Sequence, residues 1–461
     1  MKLLGYLWDS LDDKPVEEHR LVRRLDTFYL IWACLYYFVM YLDSTNVSNA
    51  YVSGMQDDLH MYGNQLNILT TCWTVGYILG TLPSQLVQMK VRPSRWLPAL
   101  ELLWGALVMC MAAAPNVKSL YALRFLIGLC EASAYPGMMT LLGSWYTPQE
   151  LGKRSVIFQQ SSAAAQMFSG FLQAGIYNGM NGTAHLPGWR WLFIFDGIIS
   201  IPIALAGFWL IPDSPATSRV FYLNETDRQV AQTRLQRVGR ATHKGFSWEV
   251  LRSTATKWPL YVMVIPYVCY VLALHIASYM NLWLESLEIY TVAQINVIPS
   301  GGYAVEIVCA LCFAIISDAI GKRWPIIMFG AAMGLLGGTL LSVWTGIPVG
   351  LKYVAWFLTF APVGTGALLF AWGNELCSGS AEERAILLGW LNTMGYVFYA
   401  WVPVLIYPAS QAPEYKVGYK VNAALWGVYL LGIPVILWFA RRFPLEQRED
   451  PEVESVTFDK V

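Results

Sequence analysis

Charge is what this chain has least of. Only 13% of its 461 residues are Asp, Glu, Lys or Arg, about half the roughly 25% carried by soluble domains. The two signs cancel, 31 against 31, which argues against nucleic acid as a partner and against a polybasic membrane anchor. Histidine is scarce, with five in all, and only His275 lies inside an apolar run. There is no HExxH, no GxSxG and no cluster of histidines, so no enzyme is expected. No cofactor is expected either, apart from a proton as coupling ion. No cleavable leader is expected: the first 26 residues are polar and charged, and the first apolar stretch would act as its own uncleaved targeting signal. The eight cysteines fall inside apolar runs. Cys309 and Cys312 stand one helical turn apart with no second ligand pair, and read as small core residues.

Apolar runs take the place of charge. The chain is 56% hydrophobic with mean hydropathy +0.43, the composition of a membrane protein. A window of about 20 residues gives twelve candidate spans near 27–43, 65–88, 97–114, 120–142, 155–178, 190–211, 258–281, 294–316, 324–344, 353–375, 385–408 and 421–440. The expected fold is therefore an all-α membrane protein of twelve transmembrane helices in two six-helix pseudo-symmetric bundles. Residues 1–26 form an N-terminal segment, 27–212 the first bundle, 213–257 a central loop, 258–440 the second bundle and 441–461 a tail. A short basic loop follows the second span of each half, MKVRPSR at 89–95 and SDAIGKR at 317–323. Duplicated six-span halves are a transporter architecture with the site near the midplane. The central loop carries a soluble helix signal, LNETDRQVAQTRLQRV, in which Asn224 can cap and Asp227 suits the first turn.

Lys and Arg set the orientation. The loops on the side of the N-terminus hold 25 of them and the opposite loops five, so both termini are expected in the cytoplasm. One cation fits neither side. Arg124 lies inside the fourth span, in LRFLIGLCEASAYPGMMTLLGSW, with Glu131 seven residues on. Each charge near a helix centre costs about 2.5–3.5 kcal/mol on insertion scales. Seven residues are nearly two turns, so both charges share a face with Gly128 and Tyr135, roughly 10 Å apart along the axis. Side chains on a helix lean toward its N-terminus, which makes a direct Arg124–Glu131 bridge unfavourable.

The other polar residues at membrane depth are Asp43, Asn46, Glu101, Asp196, His275, Glu306, Asn374 and Glu375. Intramembrane ionisable groups are functional candidates by default, although a static polar network that fixes helix packing is the competing reading. Arg124 would attract an anion, with Asp43 holding it when the site is empty, and Glu131 would take a proton, since desolvation at the midplane favours a protonated carboxyl. Asp43 is a second candidate for proton coupling. Asn46, Tyr135 and Asn374 are candidate substrate contacts. His275 is either a substrate or proton-relay residue or a hydrogen-bonded core histidine. Asp318, Lys322 and Arg323 form a charged turn suited to a conformational latch, and Glu375 ends the tenth span where a gate or a helix-end contact would fit. Carrying a monovalent anion inward against an inside-negative potential costs about 2.3 kcal/mol per 100 mV. One accompanying proton makes the event neutral, so an Arg and a titratable carboxyl are a minimal set for symport.

These residues resemble the major facilitator superfamily, and within it the fungal anion:cation symporters related to allantoate permease. The resemblance runs from about Asp26 to Arg442. It is carried by NAYVSGMQDDL at 49–59, RFLIGLCEA at 124–132, GWRWLFIFDG at 188–197 and IPDSPAT at 211–217. PSGGY at 299–303, AWGNELCSGSAEERA at 371–385 and the 400–420 region look most like fungal pantothenate and vitamin transporters. Arginine and glutamate seven apart in the fourth span also resemble the animal organic-anion transporters, which implies the anion role for Arg124 and the proton role for Glu131. Two positions depart from the family pattern. Ser44 follows Asp43 where a basic residue is common, and QMKVRPSR lacks the usual acidic residue. The resemblance implies proton-coupled symport of a small carboxylate, pantothenate or a related vitamin, by a monomeric multi-pass protein of the fungal plasma membrane. The alternatives are import or export of another organic anion (allantoate, nicotinate, biotin or a secondary metabolite) and a transporter-like nutrient sensor. The expected partners are the carboxylate, protons and the lipid bilayer.

Overall fold

The computed structural model describes residues 15–237, 248–376, 381–408 and 411–444. Expectations for the first 14 residues, the middle of the central loop, Cys377 and the tail beyond 444 fall outside the described residues. The described residues form helices and turns and no strand, as befits a chain whose backbone polar groups must be satisfied within each segment in lipid. In chain order the main helices are α1 Val16–Arg24, α2 Ile31–Ala50, α3 Gln65–Lys90, α4 Pro93–Met111, α5 Val117–Glu131 and α6 Ala134–Gly143. They continue with α7 Pro148–Met180, α8 Gly188–Leu210, α9 Glu225–Arg237, α10 Val264–Leu274, α11 Met280–Ser286 and α12 Val292–Val297. The last six are α13 Ser300–Ile320, α14 Trp324–Ser342, α15 Val349–Phe360, α16 Thr365–Leu376, α17 Ala381–Tyr399 and α18 Gly418–Arg442.

Among the described residues, eight helical segments are long and apolar enough to cross a membrane: Val16–Asp58, Val117–Gly143, Gly188–Leu210, Pro259–Ser286, Val292–Ile320, Trp324–Ser342, Val349–Leu376 and Gly418–Arg442. The four remaining expected stretches are the long helices α3, α4, α7 and α17. Polar side chains dilute two of these, among them Asn67 and Gln85 on α3 and Gln159, Gln160 and Gln173 on α7.

The helix ends follow from local sequence. Asn116 caps α5 by accepting from the Ser119 amide at 3.0 Å. Thr147 and Glu150 make a reciprocal capping box at the start of α7, with Pro148 in its first turn, the position where a missing N–H costs nothing. Among the interruptions of the expected spans, two fall just before a proline. Pro136 and Pro403 each clash with the carbonyl four residues back. The helix stops at Ala132–Ser133 in the first case and at Ala400–Trp401 in the second.

The chain divides into two compact units. One comprises Met1–His243, Ser278–Ile307 and Ala400–Tyr415; the other comprises Lys244–Ala277, Val308–Tyr399 and Lys416–Val461. Trp32, Tyr36, Trp104 and Trp189 are buried in the first, and Tyr267, Ile327, Trp426 and Tyr429 in the second. Lipid is as apolar as leucine, so such cores are held by close packing more than by hydrophobic transfer. Tryptophan thus serves the interior as well as an interfacial belt. Seven indoles, including Trp145, Trp283 and Trp356, rank among the largest fully buried side chains, while Trp209 and Trp438 stay exposed.

The central-loop helix α9 is docked within the first unit. Asp227 accepts from the Asn224 amide at 2.9 Å, capping the helix start, and also pairs with Arg24 of α1. Arg237 reaches Glu18 of α1 at 3.0 Å. Arg234 is buried and pairs with the equally buried Glu150 at 2.9 Å, while donating to the Trp145 carbonyl at 3.0 Å. Beside it, Arg154 forks onto Asp26 with two 2.6 Å bonds, and the Tyr146 hydroxyl donates to the same carboxylate at 2.9 Å. Burial, and then the Asp26 charge, push the Tyr146 phenol well above its ordinary range.

Candidate functional site

The break after α5 leaves Glu131 as the last residue of that helix, with Arg124 two turns earlier on the same helix. Both are buried, at 0% and 2% exposure. The face they share meets α3. A Cβ on Gly128 would stand 2.1 Å from the Trp73 carbonyl oxygen, so the crossing of α3 and α5 requires a residue without a side chain there. The close approach puts Trp73 against both charges. Its indole N–H donates to Glu131 Oε2 at 2.7 Å, and the Arg124 guanidinium carbon lies 5.9 Å from the ring centroid. The hydrogen bond made by Glu131 thus comes from the indole, consistent with the unfavourable geometry for a direct bridge. Its second oxygen, Oε1, is buried with no hydrogen-bond partner among the described residues.

Trp73 is a site residue that sequence reasoning missed, because nothing in its residue type singles it out among twenty tryptophans. The available signal was its place in the interior of α3. A desolvated cation over an indole face is worth up to about 2 kcal/mol, and a hydrogen bond to a charged group about 1.5–3 kcal/mol.

Asp43 lies on α2, 1% exposed, and among the described residues neither carboxylate oxygen has a hydrogen-bond partner. It is within electrostatic reach of Arg124 and of the carboxyls of Glu101, Glu131 and Asp196. Glu101 on α4 is likewise fully buried, with neither oxygen hydrogen-bonded among the described residues. Glu306 on α13 is 6% exposed. Asn46, one turn beyond Asp43, donates to both Asp196 oxygens at 2.5 and 2.6 Å and accepts from the Ser169 hydroxyl. Tyr135 stands beyond the helix break, on α6. Its hydroxyl accepts from Gln159 at 3.2 Å, and its ring packs near Tyr37 and Phe158. The break accordingly removes Tyr135 from the uninterrupted helical stripe that carries Arg124 and Glu131.

His275 and Asn374 belong to the second unit. His275 is buried, with Nδ1 2.9 Å from the Tyr399 hydroxyl and the two rings edge to face. Asn374 is half-buried near the end of α16. In the same unit Arg323 gathers the charged turn. It pairs with Asp318, with Glu375 at 2.9 Å and with the Ser317 hydroxyl at 3.2 Å. Partial burial alone would lower the Arg323 pKa, but the two carboxylates outweigh it and the net shift is upward. Lys322 is exposed and makes no ion pair among the described residues.

Long apolar helices that enclose a guanidinium and several carboxyls within their own packing define an integral-membrane transporter. A family model described as Major Facilitator Superfamily matches residues 33–403, and the chain belongs to that superfamily. It is a transporter and not an enzyme. It is 36% identical over 434 residues to MFS transporter PfmaC of Pestalotiopsis fici, covering 94% of this chain and 81% of that protein. It is 33% identical over 405 residues to Pantothenate transporter liz1 of Schizosaccharomyces pombe, covering 87% and 78%. Among solved structures, a D-xylose-proton symporter superposes with TM-score 0.66 at 13% identity, covering 91% of this chain and 98% of that one. At that identity the likeness speaks for the fold.

Proposed function

We propose that the protein is a proton-coupled symporter of a small organic carboxylate, pantothenate or a related vitamin. It would work as a monomer in the plasma membrane, with twelve spans in two six-helix bundles and both termini in the cytoplasm. The observation that carries this reading is the Arg124–Trp73–Glu131 arrangement: a buried cation for the substrate anion and a buried acid for the proton, both against one indole. Similarity to liz1, which its name calls a pantothenate transporter, supports the choice of substrate.

The surroundings favour proton handling. Asp43 has Arg124 and the carboxyls of Glu101, Glu131 and Asp196 within electrostatic reach, and a single guanidinium does not offset several buried carboxylates. Glu131 is the principal proton site and Asp43 its neighbour. A proton on Glu131 removes a negative charge that would compete with the substrate anion for the Arg124 cation; loss of that proton restores the competitor. Asn46 orders Asp196 beside them. His275 and Asn374 are assigned as further substrate contacts, and Asp318, Lys322, Arg323 and Glu375 as the gating latch.

The test is uptake of labelled pantothenate, with biotin, nicotinate and allantoate as competitors, in cells lacking their own permeases, with and without an uncoupler. Glu131→Gln is expected to abolish proton-driven uptake while sparing substrate counterflow, which needs no net proton movement. Arg124→Ala is expected to raise KM at least tenfold. Full uncoupler-sensitive uptake in Glu131→Gln would remove the proton role from that residue, and an unchanged KM in Arg124→Ala would remove the anion role.

A further inference from the structure

Asp196 ends a chain of hydrogen bonds whose donors all point one way. The Asn281 amide of α11 donates to Asn49 Oδ1 of α2 at 2.8 Å. Asn49 in turn donates to the Ser169 hydroxyl of α7 at 2.6 Å. Ser169 donates to Asn46 Oδ1, and the Asn46 amide donates to both Asp196 oxygens at 2.5 and 2.6 Å. Asn46, Ser169 and Asp196 are fully buried, and Asn49 and Asn281 nearly so. Every member lies in the first compact unit. The stretch that supplies Asn281 is seated closely elsewhere too. Asn296 donates to the Ser53 hydroxyl at 3.1 Å, Ser300 donates to the Met167 carbonyl at 3.0 Å, and a Cβ on Gly170 would stand 2.2 Å from the Asn296 carbonyl oxygen.

A chain of donors running head to tail polarises toward whatever charge terminates it. A carboxylate is a terminus that only accepts, and hydrogen bonds to an ionised acceptor are roughly twice as strong as neutral ones. We infer that ionised Asp196 holds the Ser278–Ile307 stretch against α2 and α7 through Asn46, Ser169, Asn49 and Asn281, and that protonation of Asp196 loosens this hold. Asp196 is therefore a positioning residue, acting about four side chains away from the contact it controls. The link to transport rests on the symport reading, because the proton that reaches Asp196 is taken to come from the acids around Arg124; the chain itself does not depend on that reading.

The charged and titratable groups on the elements around Asp196 can be named. Asp43 on α2 lies within its electrostatic reach, and Glu101 on α4, Arg124 and Glu131 on α5 act on Asp43. On α7 the charged residues are Glu150, Lys153 and Arg154, about 22 Å or more along the helix from Ser169. On α8 itself Arg190 is engaged with the Ala112 carbonyl at 2.6 Å.

The sign follows. High pH keeps Asp196 ionised and the stretch held; low pH releases it. The experiment uses full-length protein in lipid nanodiscs, native cysteines replaced, with spin labels at Tyr62→Cys and Ile289→Cys, which are 70% and 68% exposed. Double electron–electron resonance from pH 8 to pH 5 reads the populations of short and long distances. The unsubstituted chain is expected to shift its short-to-long ratio about tenfold toward long distances on acidification. Asp196→Asn and Ser169→Ala are each expected to give a ratio that moves less than twofold and sits near the acid limit throughout. Asn281→Ala removes only the last amide and should behave the same way if either interior variant fails to fold. Retention of the full pH response in Ser169→Ala and Asn281→Ala would overturn the inference, as would a pH-independent ratio in the unsubstituted chain. Glu131→Gln separates the two readings: lost uncoupler sensitivity with an intact distance response supports both. Uptake that is uncoupler-insensitive from the start, with an intact distance response, supports the chain and defeats symport.

Discussion

Trp73 offers two different surfaces to two charges, so a single substitution can divide them. Trp73→Phe keeps an aromatic face under Arg124 and deletes the N–H that reaches Glu131. A hydrogen bond to a charged group is worth about 1.5–3 kcal/mol, so coupled uptake by Trp73→Phe should fall roughly 10- to 100-fold in rate, with KM changed no more than about threefold. Trp73→Ala removes both surfaces and should raise KM as well; initial rates across substrate concentration separate the outcomes. Gly128 makes a sharper steric case. Its missing Cβ would meet a backbone oxygen at 2.1 Å, which cannot swing aside as a side-chain tip can. Gly128→Ala is expected to cost about 1–3 kcal/mol by overpacking. Gly175→Ala, in the interior of α7 with nothing within 4 Å of the added carbon, should be neutral or stabilising by up to about 1 kcal/mol. Thermal unfolding in detergent compares the two. Arg124 and Glu131 were legible in the sequence because charge is rare in an apolar run. Trp73 was not, since the contact joins residues 58 positions apart and nothing in the residue type points to it.

Among the elements, α9 shows how an ordinary loop helix is tied into a membrane protein. Its start could be read from Asn224 and Asp227, and the helix begins there. Its docking could not be read, because Glu150 and Glu18 lie 84 and 219 positions from their arginines. The two tethers should differ greatly in strength. Arg234→Ala strands Glu150, 1% exposed, without its cation, and breaking a buried pair from one side costs about 3–5 kcal/mol. Arg237 is 65% exposed, and a surface pair of that kind is worth about 0–1 kcal/mol. Limited proteolysis of the 213–257 connection should therefore accelerate strongly in Arg234→Ala and barely in Arg237→Ala. Equal protection in both would mean that α9 is held chiefly by its apolar contacts. The helix breaks at Ala132–Ser133 and Ala400–Trp401 were encoded by Pro136 and Pro403. A hydropathy window averages over such prolines and so joins segments that the backbone separates.

At the scale of the whole molecule, hydropathy marks spans and the pairing of polar groups marks work, and the two become visible by different routes. Apolar periodicity along one stretch is local, so the eight apolar helices agree with the windows read from sequence. Asp196 was visible as a buried acid but could not be ranked, because Asn46 lies 150 positions away and Ser169 and Asn281 reach it only through the fold. The overall reaction carries its own electrical signature, independent of which acid holds the proton. An anion moving alone against 100 mV works against about 2.3 kcal/mol, a change of about 50-fold in the accumulation ratio. An anion moving with one proton is neutral and feels none of it. In proteoliposomes with the potential clamped by a potassium ionophore, uptake at fixed pH gradient should stay within about twofold between 0 and −100 mV. At fixed potential, one unit of pH gradient should change the accumulation ratio about tenfold. A 50-fold response to potential, with none to pH, would mean that the carboxylate crosses as a bare anion and that Glu131 holds its proton only as part of the packing.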